Sequence, residues 1–340
     1  MKILYAIQGT GNGHISRARD LVPLLAQKGE LDVLVSGAHV ELTLDHPIKY
    51  RFGGLGFFFG RTGGIDLWKT YRQNSLRRFW QELRSLPVTD YDLVISDFEP
   101  VSAWACKLAG KPCIGLSHQA AVAHPDAPKA RGHYPIGRLL LNQYAPTTTQ
   151  YGFHFKAYAP GVFTPVIRKQ VRELQTTTGD YYTVYLPAYS DANIAAVLSQ
   201  LPEVDWRVFS KHNQQAFRNR HVSFQPLDNA AFLQSLAGCR GVLCGAGFET
   251  PAEVLHLGKK LLVIPMRGQY EQHCNAAALQ ELGIPVIQRL DHACLPQLRQ
   301  WIVSEQATSM QYPDATAVII DQLLESICAP AHPQSAVAFG

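Results

Sequence analysis

Twice between Cys239 and Gly283 an apolar run ends at a turn that feeds a helix, and this pattern constrains the fold more than any other part of the chain. The stretch reads CRGVLCGAGFETPAEVLHLGKKLLVIPMRGQYEQHCNAAALQELG. Residues 241–244 stop at Gly245-Ala246-Gly247, and helical sequence starts at Thr250-Pro251. Residues 261–264 stop at Pro265, and the polar cluster Arg267, Gln269, Glu271, Gln272, His273 and Asn275 follows. Two strands that each hand their loop to a helix place both loops on one rim of a parallel sheet, where α/β proteins bind ligands.

The same alternation runs through the rest of the chain. Strands are expected at 3–7, 31–35, 92–96, 113–116, 182–186 and 206–209. Helices are expected at 15–27, 102–108, 194–201, 229–236, 297–304 and 317–328. A break at 150–175, with Pro160, Gly161, Pro165 and the TTTG run close behind, reads as a linker. A chain of 340 residues exceeds one ordinary core. The fold class expected is therefore α/β, with two Rossmann-like domains facing across a cleft, 1–160 and 161–328, and a Pro- and Ala-rich tail at 329–340. The segment 53–86 interrupts the first domain. It opens with GGLGFFFGRTGG and continues as a helix with Leu67, Tyr71, Phe79, Trp80 and Leu83 on one face. Lys69, Arg72, Arg77, Arg78 and Arg84 flank that face. It is either a core-packing helix with solvated charges or an acceptor or membrane-surface element.

A formal charge of +4 is too mild to indicate nucleic-acid binding, but it is compatible with acidic substrates or a negative membrane surface. The seven cysteines are scattered with no CxxC pair, so buried reduced thiols in a cytosolic protein are expected instead of a disulfide framework or zinc site. The amino terminus MKILYAIQGTG is too short for a signal peptide and reads as a first strand. No run reaches transmembrane length, so any membrane contact would be peripheral, at the inner face.

The loop between the first strand and its helix, GTGNGH, has Gly9, Gly11 and Gly13 but His14 where a dinucleotide fingerprint needs a third Gly. The second strand ends at Ser36-Gly37 without a ribose-binding carboxylate, and no P-loop string occurs. His14 near a helix start has its charged form disfavoured, which suits a neutral general base; a turn-capping role is the plainer alternative. Asp97 and Glu99 close another strand at the same rim. Either could fix the His14 tautomer, or both could be turn carboxylates. Gly11, Asn12, Gly13 and His118 are the first-domain loop residues expected to face an acceptor. In the second half, the loop Gly245, Ala246, Gly247, Phe248, Glu249 and Thr250 suits phosphate, because free amides and the positive end of a helix dipole point at it. Glu253, one turn on, suits ribose hydroxyls or merely the helix dipole. Gln269, Glu271, Gln272 and Asn275 offer amide and carboxylate groups to sugar hydroxyls, or form a solvated helix start. Together these loops suggest a nucleotide-sugar site. Asp90-Tyr91-Asp92 has the spacing of a DxD metal motif but precedes a strand, at the end away from the ligand rim, and reads as a turn. Neither a metal site nor a cofactor is expected.

On GTGNGH and on GAGFETPAEV…IP…QYEQHCNA…LG the chain resembles the GT-B glycosyltransferases, in the branch that holds MurG and the UDP-glycosyltransferases. The resemblance implies two Rossmann-like domains. The second binds a nucleotide-sugar donor, usually a UDP-sugar, and the first binds a glycan, lipid-linked or small-molecule acceptor. It implies metal-independent, inverting transfer and a last helix that crosses back to the first domain. It assigns the 245–250 loop to the diphosphate, Glu253 to the ribose, Glu271 and Gln272 to the donor sugar, and His14 to the general base. Two departures concern the donor: the second domain opens on Leu186-Pro187-Ala188-Tyr189-Ser190 without Gly, and Glu271-Gln272 stands for the usual Asp-Gln. The rival readings are a nucleotide-sugar epimerase on the same fold and a non-catalytic nucleotide-sugar-binding partner.

Overall fold

Residues 1–10, 12–37, 44–55, 75–305 and 307–328 are described by the computed structural model. The first sheet holds β1 (Lys2–Gln8), β2 (Glu30–Ser36), β3 (Ile48–Phe52), β4 (Leu93–Asp97), β5 (Ile114–Ser117), β6 (Thr149–Phe153) and β7 (Val162–Phe163). They lie in the order β3-β2-β1-β4-β5-β6-β7, with every pairing parallel. Around it lie α1 (Asn12–Ala26), α2 (Leu76–Ser85), α3 (Pro100–Ala109), α4 (His118–Ala123) and α5 (Pro135–Gln143). After the short α6 (Lys169–Arg172), the second sheet holds β8 (Tyr181–Tyr185), β9 (Asp205–Ser210), β10 (Phe217–Asn219), β11 (Val222–Pro226), β12 (Gly241–Gly245) and β13 (Lys260–Ile264). Their order is β10-β11-β9-β8-β12-β13, and only the β10–β11 pairing is antiparallel. Its helices are α7 (Asp191–Leu198), α8 (Asn229–Gly238), α9 (Glu249–His256), α10 (Tyr270–Glu281), α11 (Leu295–Val303) and α12 (Thr316–Cys328).

The central strands form because both of their faces find cover. Ile3, Leu4, Tyr5, Ala6 and Ile7 are fully buried, the mark of a parallel strand between two helical layers. Helix starts follow local chemistry: Glu99 accepts from Val101 N and Ser102 N with Pro100 at the first helical position, and Ser190 and Asp228 cap α7 and α8. In each sheet the strand order reverses once, between β1 and β4 and between β8 and β12. Each reversal opens a crevice at the carboxyl ends of the two strands, so the loops after β1, β4, β8 and β12 are the ones placed to bind ligands.

The structure departs from the sequence expectation at several points. The supposed linker 150–175 contains β7 and nearly all of β6, so the first sheet runs to Phe163, past the expected boundary at 160. On α2 the buried face holds Phe79, Glu82 and Leu83, whereas Trp80 is half exposed. Glu82 turns inward because its two oxygens accept from Gly53 N and Gly54 N. Leu67, Lys69, Tyr71 and Arg72 lie outside the described residues, as do Gly11 and the tail. Asp92 sits at the amino end of β4 and accepts from Lys2 N at 2.6 Å, so the DxD spacing braces the sheet at the rim away from the reversal points. The last helix crosses back: Ile319, Ile320 and Leu323 of α12 share a core with Ile15, Ala18 and Leu21 of α1, and Lys28 pairs with Asp321 at 2.5 Å. No described helix is long and apolar enough to cross a membrane.

Candidate active site

The second reversal point opens onto a cavity of about 540 Å³ between the domains. Gly245, Gly247, Phe248, Glu249, Thr250, Glu253 and Gln272 line it from the second domain, and Gly13 and Ser16 from the first. α9 begins there with an open end. Its N-cap, Phe248, makes no side-chain capping bond, and Pro251 carries no N–H, so the amides this end can offer a ligand are those of Glu249 and Thr250. A side-chain carbon built on Gly247 would meet nothing within 4 Å, and one on Gly245 nothing closer than 3.9 Å. The turn is roomy, as a phosphate cradle must be. Ala246 is fully buried and donates its N–H to Ile264 O, which anchors the turn to β13.

Against Glu249 of the cavity wall lies a cluster of ionisable groups. Asp97 ends β4 fully buried, and its Oδ1 lies 2.9 Å from His14 Nδ1. Arg17, one helical turn after His14 on α1, donates from Nη2 to both Asp97 oxygens at 2.7 and 2.8 Å. From Nη1 it reaches Glu249 Oε1 at 2.5 Å, in the other domain. Burial alone would raise the Asp97 carboxyl, but Arg17 and then His14 outweigh it and hold Asp97 below the ordinary carboxylate value. With Asp97 ionised, His14 Nδ1 carries the proton of that bond and Nε2 is left as the basic nitrogen. Nε2 is 3.4 Å from the Gln119 amide nitrogen, and 12% of the side chain is exposed. Glu249 keeps 22% of its side chain open to solvent, yet desolvation by the surrounding protein pushes it up to about 7 against the pull of Arg17.

The expected residues divide into those that reach the cavity and those that do not. Asp97, not Glu99, meets His14. Glu99 is fully buried and consumed by capping α3 and accepting from Ser36 Oγ at 2.6 Å, because a strand-end carboxylate two residues on points back at the helix it starts. Glu253 lines the cavity, with both oxygens held by Arg168: Nε to Oε1 at 2.5 Å and Nη2 to Oε2 at 2.9 Å. Gln272 lines it too, with Oε1 accepting from Met266 N. Glu271 accepts from Gln119 Nε2 at 3.1 Å, which places it beside the His14 side of the cleft. The Oε1 of Gln269 is buried with no hydrogen-bond partner among the described residues.

Two expected ligand residues serve the interface instead. Asn275 is fully buried, its Nδ2 donating to Ala246 O and its Oδ1 lying 2.8 Å from His118 Nε2. His118 in turn stacks on Phe248 at 3.9 Å between ring centres, nearly parallel. The pair is a bolt between the domains and leaves neither side chain for a donor or acceptor. Gly13 brings α1 close to α9: an added Cβ would lie 3.1 Å from Glu249 Cγ and would press on that side chain. Asn12 opens α1.

Sequence reasoning missed Arg17, Arg168, Gln119 and Lys211, the last of which also lines the cavity. Arg17 had a signal, since it sits three residues from His14 and therefore on the same helical face. Arg168 had none, lying in the stretch read as a linker.

Residues 1–301 match the sequence model of the family described as glycosyl transferase family 1. A curated UDP-N-acetylglucosamine--N-acetylmuramyl-(pentapeptide) pyrophosphoryl-undecaprenol N-acetylglucosamine transferase from Chlorobium phaeobacteroides is 30% identical over 106 residues, 27% of this chain. The chain covers only 29% of that relative's length. MurG of Acinetobacter baumannii superposes with a TM-score of 0.60 at 17% identity, over 96% of this chain and all of the other. Phytolacca americana UGT2, solved with UDP-2-fluoro-glucose and pterostilbene, gives 0.57 at 11% identity over 97% of this chain and 100% of its own. At such identities the two structures are likenesses of fold.

Proposed function

The chain belongs to glycosyl transferase family 1, as a GT-B glycosyltransferase of the MurG-like branch, and from that premise we propose that it moves a sugar from a UDP-sugar to an acceptor hydroxyl by metal-independent, inverting displacement. The observation that carries the reading is the pairing of His14 with Asp97 beside the open amino end of α9, to which Arg17 links it through Glu249. His14 Nε2 takes the proton from the acceptor hydroxyl, since a free hydroxyl is a poor nucleophile. Asp97 holds the ring and stabilises the imidazolium that forms. The leaving diphosphate gains negative charge. The first-turn amides and dipole of α9, with Lys211 on the cavity wall, offset that charge in the way an oxyanion hole does, a device worth about 2.7–4 kcal/mol per donor. A base and a leaving-group cradle brought to one cleft suit a single displacement.

We assign the donor to the second domain, with Glu253 on the ribose and Glu271 and Gln272 on the transferred sugar. The acceptor belongs to the first domain. The name of the Chlorobium relative and the ligand of the Phytolacca enzyme support uridine as the base of the donor. The relative's name also makes a lipid-linked hydroxyl the first acceptor to try. Cys106, Cys113, Cys239, Cys244, Cys274 and Cys294 are buried and unpaired, which supports a reducing cytoplasm. The test is a thermal-shift screen of nucleotides and nucleotide-sugars, because a ligand of the native state raises its melting temperature by mass action. UDP and at least one UDP-sugar should raise it. A rise with other nucleotides alone overturns the uridine assignment, and no rise with any overturns the donor site.

A further inference from the structure

We propose that Gln119 of the first domain is a positioning residue for the transferred sugar: it orients the Glu271 carboxylate, so that recognition of the sugar, unlike that of the nucleotide, needs the first domain in place. The proposal rests on the assignment of Glu271 to the donor sugar. Gln119 is the second residue of α4, a helix whose start is fixed by Ser117 Oγ accepting from Ala120 N at 3.1 Å. Its Nε2 donates to Glu271 Oε2 at 3.1 Å, from one domain to the other. His118, the residue before it, stands with Nε2 3.9 Å from Glu271 Oε1. Two adjacent side chains of α4 therefore flank the two oxygens of Glu271. Among the described residues, the only side-chain hydrogen bond to that carboxylate is the one from Gln119. Glu271 lies in the first turn of α10 and keeps 22% of its side chain open, so lone pairs remain for sugar hydroxyls.

The carboxylate also decides which way the amide faces. Turned end for end, Gln119 would set its Oε1 against Glu271, acceptor to acceptor. In the observed orientation Oε1 is buried with no hydrogen-bond partner among the described residues, and an orphaned buried acceptor costs free energy. A hydrogen bond to an ionised carboxylate is about twice as strong as one between neutral groups, which offsets that cost.

The same Gln119 Nε2 lies 3.4 Å from His14 Nε2. One side chain, 7% exposed and so confined by its packing, touches both the carboxylate assigned to the sugar and the nitrogen assigned to the base. A sugar that docks on Glu271 is thereby set in register with His14, which is the orientation that a displacement at the anomeric carbon needs. Side-chain length matters to this contact: an aspartate at 271 would hold its carboxylate one methylene further from α4.

The test compares the full chain with Gln119→Leu, which keeps the bulk and removes the amide. Gln119→Asn, which keeps the amide but is one methylene short, carries the same test should the leucine variant not fold. Calorimetry gives the Kd of UDP and of UDP-N-acetylglucosamine, UDP-glucose and UDP-galactose. For the UDP-sugar that the parent binds most tightly, the ratio of its Kd to that of UDP should rise about tenfold in the variant, while the Kd of UDP stays within about twofold. In a Glu271→Ala background, Gln119→Leu should move the ratio less than twofold, because the residue it acts through is gone. A parental ratio in the folded variant overturns the proposal. If the melting temperature and the UDP affinity fall and the ratio does not move, Gln119 is a structural contact and the proposal fails. A tenfold change that persists without Glu271 overturns the route through that carboxylate. A parent that binds no UDP sinks the donor site itself, which is a separate failure.

Discussion

Arg168 grips both oxygens of Glu253, at 2.5 and 2.9 Å, on the wall of the cavity assigned to the donor. A carboxylate offers about four lone-pair sites, so this fork leaves acceptor capacity for the two hydroxyls of a ribose. Glu253→Ala should weaken UDP binding at least about tenfold by calorimetry, the lower end of the roughly 1.5–3 kcal/mol of a hydrogen bond to a charged group. An unchanged affinity would remove Glu253 from the ribose site.

His14→Ala removes the only group proposed to take the acceptor proton. General-base catalysis contributes about 10²–10⁴-fold, so kcat should drop at least a hundredfold while the UDP affinity stays within about twofold. A variant that transfers at the parental rate takes His14 out of the mechanism.

Asp97 is held below its ordinary pKa, so the sign of its pH dependence is fixed. Its ionised form is favoured in the native state, and its contribution to stability is present above the unfolded value of about 3.9 and lost as pH falls through the lower native value. Asp97→Asn should therefore melt below the parent at about pH 5. The margin should shrink below about pH 4. A margin that instead widens in acid contradicts the pairing with Arg17.

Gly247 has open space where a side chain would begin. Gly247→Val should fold with a melting temperature close to the parent's, yet fill the cradle and abolish the thermal shift caused by UDP. If the shift survives, the diphosphate lies elsewhere.

Much of the scaffold was legible because strands covered on both faces are written as unbroken apolar runs. β1, β12 and β13 are of this kind. The edge strands were not. β3 alternates as IKYRF with no fully buried residue, and β10, FRN, is wholly exposed. β7 spans two residues near a Pro and a Gly that punctuate like a linker. The loops of the site were legible from their small residues and polar content. Which polar groups face the cavity was not. Asn275 sits on α10 with Gln272, yet one bolts the domains and the other lines the pocket, and only tertiary packing separates them. Arg17 could be placed on the His14 face of its helix, but its pairing with Glu249, 232 positions away, could not be read from the sequence.

The return of α12 to the first domain means that the second domain is tethered at both of its ends, once by the chain after Phe163 and once by α12 itself. Two attachment points define a line, and a body held along a line can swing about it but cannot drift off. An opening of the cleft that leaves Ile319, Ile320 and Leu323 seated is then a tilt about that line, and it has to part the His118–Asn275 and Arg17–Glu249 contacts.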